Sequence, residues 1–226
     1  MSGAPDRDGS GTQVVLRPLA TPLPLGFLGL VLATVTFSAL QLGWIPPAEG
    51  RVAALTALLA TVPLQLLAAV MGFLARDPVA ATGMGLLSGT WAVVGYTTFT
   101  SAPGAASDGL GVLLVTAGIV MLVPAAAAIT SKLVPAAVMA LTGARFAVTG
   151  VYELTGSAAW KSTAGWVGLV LAAGALYAAL ALELEGSTGR TVLPVGRRGA
   201  GRAAVRGEGP LEAADLAGEA GVRPQL

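Results

Sequence analysis

The chain has 226 residues, of which 54% are hydrophobic and 11% charged, whereas soluble domains carry about 25% charge. A water-soluble core of this size could not bury so much apolar surface, so the composition indicates a chain whose main solvent is lipid. The sequence contains no cysteine and no histidine, which excludes disulfides, thiolate sites and the commonest metal ligand. The net charge of +1 gives no indication of a nucleic-acid partner, and we expect no cofactor.

Six apolar runs follow a polar N-terminal segment, residues 1–20, that lacks the pattern of a cleaved signal peptide. Each run is long enough for a helix that crosses a bilayer. The break between the fourth and fifth runs is the weakest, since only Ser131 and Lys132 interrupt it. We predict an all-α integral membrane protein with a six-helix transmembrane bundle over residues 21–196. The predicted spans are residues 23–45, 52–75, 79–99, 110–130, 133–154 and 164–184.

An even number of spans places both termini on one side, and the positive-inside rule indicates which side. One set of segments holds most of the basic residues, namely Arg7, Arg17, Arg76, Lys132 and six arginines after residue 189. The other set holds only Arg51 and Lys161. We therefore expect both termini in the cytoplasm and the chain in the plasma (inner) membrane. The tail, residues 197–226, is rich in Gly, Ala, Glu and Arg, which predicts disorder and contact with anionic lipid.

The first run opens with Thr21, Pro22, Leu23, Pro24, Leu25 and Gly26. Prolines and a glycine at the start of a helix leave backbone N–H groups without helical partners, and such groups can bind an anion. The pattern by itself is weak, because proline is ordinary in the first turn of a helix.

Gln65 lies inside the second run, two residues after Pro63, which removes a backbone donor and weakens the helix. The amide could satisfy the freed backbone, link two helices, or line the path of a solute. The sequence leaves these interpretations open.

Arg145 lies well inside the fifth run, where a guanidinium costs roughly 2.5 kcal/mol or more unless it faces a cavity or a partner. It could be a fixed charge that attracts an anion, an arginine whose head reaches an interface, or one half of a pair between helices. Glu153, eight residues later, shares its side of the helix but lies two turns away, so a direct pair is not expected.

An enzyme is the least expected class, because the sequence supplies no nucleophile–base pair and no metal site. Ser88 and Thr90 flank Gly89 in a small-residue stretch, and helix packing explains them better than catalysis does.

The last run and the segment after it carry a more specific pattern. It consists of AGWVGL at residues 164–169, then Tyr177, then GRTVLPVG at residues 189–196. In these motifs the chain resembles the acetate uptake transporter family, the bacterial succinate–acetate permeases and their fungal acetate and ammonia-export relatives. Gln65 and Trp91 also fall where that family carries a glutamine and a tryptophan. The resemblance covers residues 18–196.

The resemblance has departures. Thr21 and Leu23 replace an asparagine and an alanine of the family's opening motif, and Gly72 replaces a glutamate. The family's constriction of Phe, Tyr and Leu maps onto Leu30, Leu87 and Leu122, an all-leucine collar. Arg145 matches no feature of the family pattern.

The resemblance implies a transporter or channel for small monocarboxylates such as acetate, with succinate as a further candidate. It implies a homo-oligomer, a hexamer by the family's pattern, with one path through each bundle. The solute would contact Thr21, Pro22, Pro24, Gly26, Gln65 and Arg145, and Glu153 is the candidate for proton coupling. The alternatives are the same fold carrying another solute such as ammonia, or a non-transporting assembly or regulatory protein in the membrane.

Overall fold

The computed structural model of the protein describes residues 19–199, and within them the chain is helical with no β-strand. The helices are α1 (Leu23–Gln41), α2 (Gly50–Leu55), α3 (Val62–Leu74), α4 (Pro78–Thr100), α5 (Asp108–Val120), α6 (Leu122–Ile129), α7 (Leu133–Thr155) and α8 (Ala158–Thr188).

Two of the six helical segments change geometry along their length. A π-helical turn, Thr56–Thr61, joins α2 to α3 immediately before Pro63, and α5 gives way to α6 at Met121, three residues before Pro124. Proline has no N–H and its ring clashes with the carbonyl four residues earlier, so regular α-helix cannot continue through either site. Both interruptions are local, and the chain keeps its direction through them.

The six segments run alternately up and down, so residues far apart in sequence meet at two ends. At one end, Asp77 Oδ2 accepts a hydrogen bond from Lys132 Nζ at 2.6 Å, and the Leu133 N–H donates to the Gly196 carbonyl at 3.1 Å. We call this the cap end. At the other end, α1, α4 and α7 finish while α2, α5 and α8 begin. We call it the cavity end.

Glycines set the distance between α5 and α7. A Cβ atom on Gly143 would lie 2.7 Å from the Gly118 carbonyl oxygen, and one on Gly118 would lie 2.7 Å from the Gly143 oxygen. A Cβ atom on Gly150 would meet the Gly111 oxygen at the same distance. Only glycine permits such an approach, which is how helices gain packing contacts where lipid removes the hydrophobic driving force.

The motif GRTVLPVG folds back against the start of α7 and caps it. The carbonyls of Gly196 and Val195 accept hydrogen bonds from the N–H groups of Leu133 and Val134, both at 3.1 Å. These N–H groups belong to the first turn of α7 and have no partner within the helix. The motif therefore closes a helix end that would otherwise leave unpaired donors.

Side chains hold the same segment in place. Glu185 of α8 accepts hydrogen bonds from Arg197 Nε at 2.9 Å and from Thr191 Oγ1 at 2.9 Å, and Tyr177 Oη donates to the Pro194 carbonyl at 3.0 Å. Val195 is buried in the core.

The predicted all-α architecture is confirmed. Five helical segments among the described residues are long and apolar enough to cross a membrane: Leu23–Gln41, Pro47–Leu74, Asp108–Ile129, Leu133–Thr155 and Ala158–Thr188. Helix α4, rich in Gly, Ser and Thr, is not among them. Residues 200–226 of the predicted disordered tail and nearly all of the polar N-terminal segment lie outside the described residues, whereas Arg197, at the start of that tail, is bonded to Glu185.

We expect Gly196→Ala to destabilise the protein more than Gly189→Ala. Both residues have positive φ angles, +68° and +67°, so an alanine in the left-handed region costs about the same free energy at either position. A Cβ atom on Gly196 would lie 2.7 Å from Leu133 Cβ, whereas nothing lies within 4 Å of one on Gly189. The overpacking should add about 1–3 kcal/mol to the loss, measured by thermal unfolding of the purified protein. Equal losses of stability in the two variants would show that Gly196 is not packed tightly against α7.

Candidate functional site

An open cavity of about 100 Å³ lies at the cavity end of the bundle. The last turns of α1 and α7, the first turns of α2, α5 and α8, and the loop after α4 form its walls. Its charged lining residues are Arg51, Glu153 and Lys161. We call it the outer cavity.

A second cavity of about 40 Å³ lies deeper and shares part of its lining with the first. The shared residues are Phe37, Gln41, Thr98, Leu110 and Glu153. The residues that line only the deeper cavity include Trp91, Arg145, Phe146 and Thr149. This inner cavity therefore continues the outer one toward the middle of the bundle.

Three aromatic rings from three helices form one wall of the inner cavity. The ring centres of Phe37 and Trp91 are 5.4 Å apart, and those of Trp91 and Phe146 are 6.0 Å apart in an edge-to-face arrangement. The indole N–H of Trp91 is buried and has no hydrogen-bond partner among the described residues. A buried donor of this kind usually has a partner, so it indicates a position for an acceptor.

Arg145 supplies a positive charge to the same cavity. Its side chain is 4% exposed, and its guanidinium donates hydrogen bonds to Gln41 Oε1 at 2.5 Å and to Thr149 Oγ1, one turn further along α7. Both partners are neutral, and both line the cavity with it. No carboxylate of the described residues forms an ion pair with this guanidinium.

The Nε side of the Arg145 guanidinium lies against α8 at Gly168. A Cβ atom there would stand 2.7 Å from Arg145 Nε and 2.2 Å from Ser38 Oγ. Both polar atoms are buried, and neither has a hydrogen-bond partner among the described residues. A glycine at this position is what lets α8 close over the arginine.

Glu153 does not pair with Arg145. One of its carboxylate oxygens accepts a hydrogen bond from the Ser107 backbone N–H at 2.9 Å, which ties the end of α7 to the start of α5. The residue lines both cavities and so stands where they join.

The other predicted site residues lie toward the cap end. Gln65 is fully buried and its Nε2 donates a long hydrogen bond, 3.5 Å, to the Gly26 carbonyl, which links α3 to α1. Its Oε1 and Thr21 Oγ1 are buried without partners among the described residues. Gly26 and Gln41 are separated by about 22 Å along α1. The structure therefore divides the predicted site into two groups.

The predicted start of α1 is packed rather than open. Pro22, Pro24 and Gly26 are buried, and Met84 of α4 lies over Gly26 so closely that a Cβ atom there would be 2.2 Å from its sulfur. Between the two polar groups, Leu30 and Leu87 are fully buried in the core.

The third residue of the predicted collar is placed differently. Leu122 is 50% exposed on the outside of the bundle, whereas its neighbour Met121 is buried. Successive residues of a helix point about 100° apart, so Met121 faces the core and Leu122 does not. We correct the collar accordingly and leave Leu122 out of the path.

The neighbours of Arg145 on other helices could not be predicted from the sequence. Gln41, Ser38 and Gly168 lie on other helices, and no spacing rule connects them to position 145. Thr149 stands four residues after Arg145, a spacing that puts both on one helix face and could have indicated this contact. Trp91 was identified by resemblance alone, without its role in the cavity.

Comparison with known proteins identifies similar folds and sequences. No family model matches the chain. The chain has a TM-score of 0.69 and 26% identity to the structure of the bacterial acetate channel SatP, an alignment that covers 79% of this chain and 99% of that one. A 51-residue stretch is 43% identical to the succinate-acetate/proton symporter SatP of Escherichia coli (strain K12).

In both comparisons the chain is similar to SatP. The sequences of SatP from Escherichia coli O157:H7 and Shigella flexneri match over the same length. These alignments span 23% of this chain and 27% of the acetate transporter relatives, which is a short part of either protein.

We expect Gly168→Ala to destabilise the protein by about 1–3 kcal/mol, because the new methyl group would press on Arg145 and Ser38. Gly186→Ala on the same helix is the matched control, since nothing lies within 4 Å of its Cβ position. The unfolding temperature in detergent is the measurement. A loss no larger than that of the control would mean that α8 does not enclose the arginine.

Proposed function

We propose that the protein carries small monocarboxylates such as acetate across a membrane, as a channel or a transporter. The observation that carries this proposal is the buried cation Arg145 at the inner end of a cavity that opens at one end of an apolar helix bundle. A charge at membrane depth is a functional site by default, and here it faces a cavity and not a carboxylate. The similarity to the acetate channel SatP supports the same function.

The described residues suggest the order of contacts along a path. A solute would enter at the outer cavity, pass Glu153 and reach Arg145 beside the aromatic wall. It would then cross the apolar level of Leu30 and Leu87, where it sheds water, and pass Gln65 near the start of α1. Apolar constrictions of this kind can gate a path by dewetting.

The arrangement in the membrane is part of the proposal. We propose that all six helical segments span the plasma (inner) membrane, with the cap end and both termini in the cytoplasm. The tail arginines and Lys132 at the cap end support this orientation through the positive-inside rule. A homo-oligomer, a hexamer by family resemblance, would cover part of the apolar outer surface.

Two features of the structure bear on the alternative functions: the charge of Arg145 and the packing at the start of α1. A fixed positive charge attracts an anion and offers no such attraction to a neutral solute such as ammonia, so the cavity favours an organic anion. Packing of Met84 over Gly26 instead favours a non-transporting membrane protein, because it closes the path at the cap end.

Labelled acetate uptake into proteoliposomes tests the function. We expect purified protein to give uptake above protein-free vesicles, and unlabelled acetate to compete with it. Gln65→Leu, which keeps the volume and removes the amide, should lower the rate by about tenfold, since a buried polar contact is lost. Leu122→Gln at the exposed outer face is the control and should keep the rate. Uptake equal to that of empty vesicles would reject the proposal.

The orientation can be tested because the native chain contains no cysteine. Single substitutions Ala105→Cys at the cavity end and Arg198→Cys at the cap end place one thiol on each side, at exposed positions. A membrane-impermeant maleimide should label the first variant in intact cells and the second only after permeabilisation. The reverse pattern, or labelling of both from one side, would contradict the proposed topology.

A further inference from the structure

We propose that the inner cavity is a carboxylate-binding site, formed by Arg145 and Trp91, that accepts a short monocarboxylate and rejects dicarboxylates. The inference deepens the proposed function and rests on it for the role of the site in transport. Binding itself can be measured on the protein without any flux, so the two can fail separately.

The inner cavity is suited to an anion because only part of the hydrogen-bonding capacity of the Arg145 guanidinium is used. A guanidinium has five N–H groups, and the side chains of the described residues accept from it at two places, Gln41 and Thr149. Neither acceptor carries charge, and a buried charge without a counter-charge costs several kcal/mol in general. An anion in the cavity would remove that cost and gain charge-assisted hydrogen bonds.

Trp91 adds a second donor on the facing helix. Its indole N–H can only donate, and it is buried without an acceptor among the described residues. The ring is held by Phe37 and Phe146, so the donor is fixed in position before a ligand arrives. Two donors from α4 and α7 suit the two oxygens of one carboxylate.

The rest of the wall favours a short apolar tail. Phe37, Phe146, Val94 and Leu114 line the cavity beside the two donors. The volume of about 40 Å³ corresponds to about three water molecules, which is close to the size of acetate. A bare inorganic anion would leave this apolar wall without contacts.

A dicarboxylate meets two obstacles. It is too long for the cavity, so its second carboxylate would have to extend toward the outer cavity, where Glu153 stands at the junction. Like charges at such a junction repel. The cations Arg51 and Lys161 line only the outer cavity, so the inner cavity offers no second cation for the extra charge among its lining residues. Glu153 therefore acts as a specificity-determining residue that discriminates singly charged from doubly charged ligands.

The test measures thermal unfolding of the purified full-length protein in detergent, titrated with sodium acetate, sodium succinate and sodium chloride at constant ionic strength. A ligand that binds the folded state raises the unfolding temperature with its concentration. We expect acetate to raise it saturably and succinate and chloride to leave it unchanged. Stabilisation by succinate or chloride equal to that by acetate would overturn the claimed selectivity.

Variants assign the effect to the two donors. Arg145→Gln and Trp91→Phe should each raise the half-saturating acetate concentration by about tenfold or more, since each removes a buried hydrogen bond to a charged ligand. Arg145→Lys should restore part of the response. The controls Arg190→Gln and Trp166→Phe change exposed residues of the same kinds and should bind acetate normally.

Selectivity and transport are then separated. Glu153→Gln should allow succinate to raise the unfolding temperature as acetate does, and succinate that still has no effect in this variant would overturn the role given to Glu153. Unchanged acetate binding in both Arg145→Gln and Trp91→Phe would overturn the site even if uptake is observed. Acetate binding that requires both residues, without any uptake by the native protein, would support the site and reject the proposed function.

Discussion

The close approach of helix backbones through glycine is the constraint on which the rest of this structure depends. Lipid gives apolar helices no hydrophobic reason to associate, so contact has to come from backbones that nearly touch. The mutual contacts of Gly118 with Gly143 show this at one interface, between α5 and α7, and at a second interface Gly168 makes room for the side chains of Ser38 and Arg145. The second of them brings α8 over the guanidinium and isolates it from the outside of the bundle.

A charge enclosed in this way shapes the chemistry of the cavity. Gln41 and Thr149 orient the guanidinium but do not neutralise it, and Glu153 is occupied with the Ser107 backbone. Orientation by neutral groups leaves the full charge available to a ligand, whereas an ion pair would have cancelled it. The inner cavity therefore holds one fixed positive charge, and a carboxylate stands where it joins the outer cavity.

Much of the fold was predictable, and the misses have physical causes. Apolar run length follows bilayer thickness, so the predicted helix positions agree with α1, α4 and α7 to within a few residues. Helix α8 begins at Ala158, whereas the predicted span begins at residue 164. The polar residues Lys161, Ser162 and Thr163 were predicted as loop, although they lie on the helix, and Lys161 lines the outer cavity. The change of geometry at Met121 was not predicted, and Leu122, placed in the collar by resemblance, lies on the exposed side of its helix.

The site was predictable only in part. Arg145 is conspicuous because charge is rare in an apolar run, but its partners lie on α1 and α8, and sequence periodicity does not report which helices are neighbours. Similarly, GRTVLPVG follows the last predicted span in sequence, whereas its main contact is with the start of α7, some sixty residues earlier. Long-range pairing of this kind follows from the three-dimensional arrangement alone.

The most direct test of the central claim is X-ray diffraction from crystals soaked in bromoacetate, with anomalous scattering used to locate the bromine. The chain has no thiol for this reagent to alkylate. We predict a bromine peak in the inner cavity against Phe37, Trp91 and Phe146, with the carboxylate toward Arg145, and no such peak in Arg145→Gln crystals. Bromine found only outside the bundle, with water alone beside Arg145, would contradict the claim that this cation binds the transported anion.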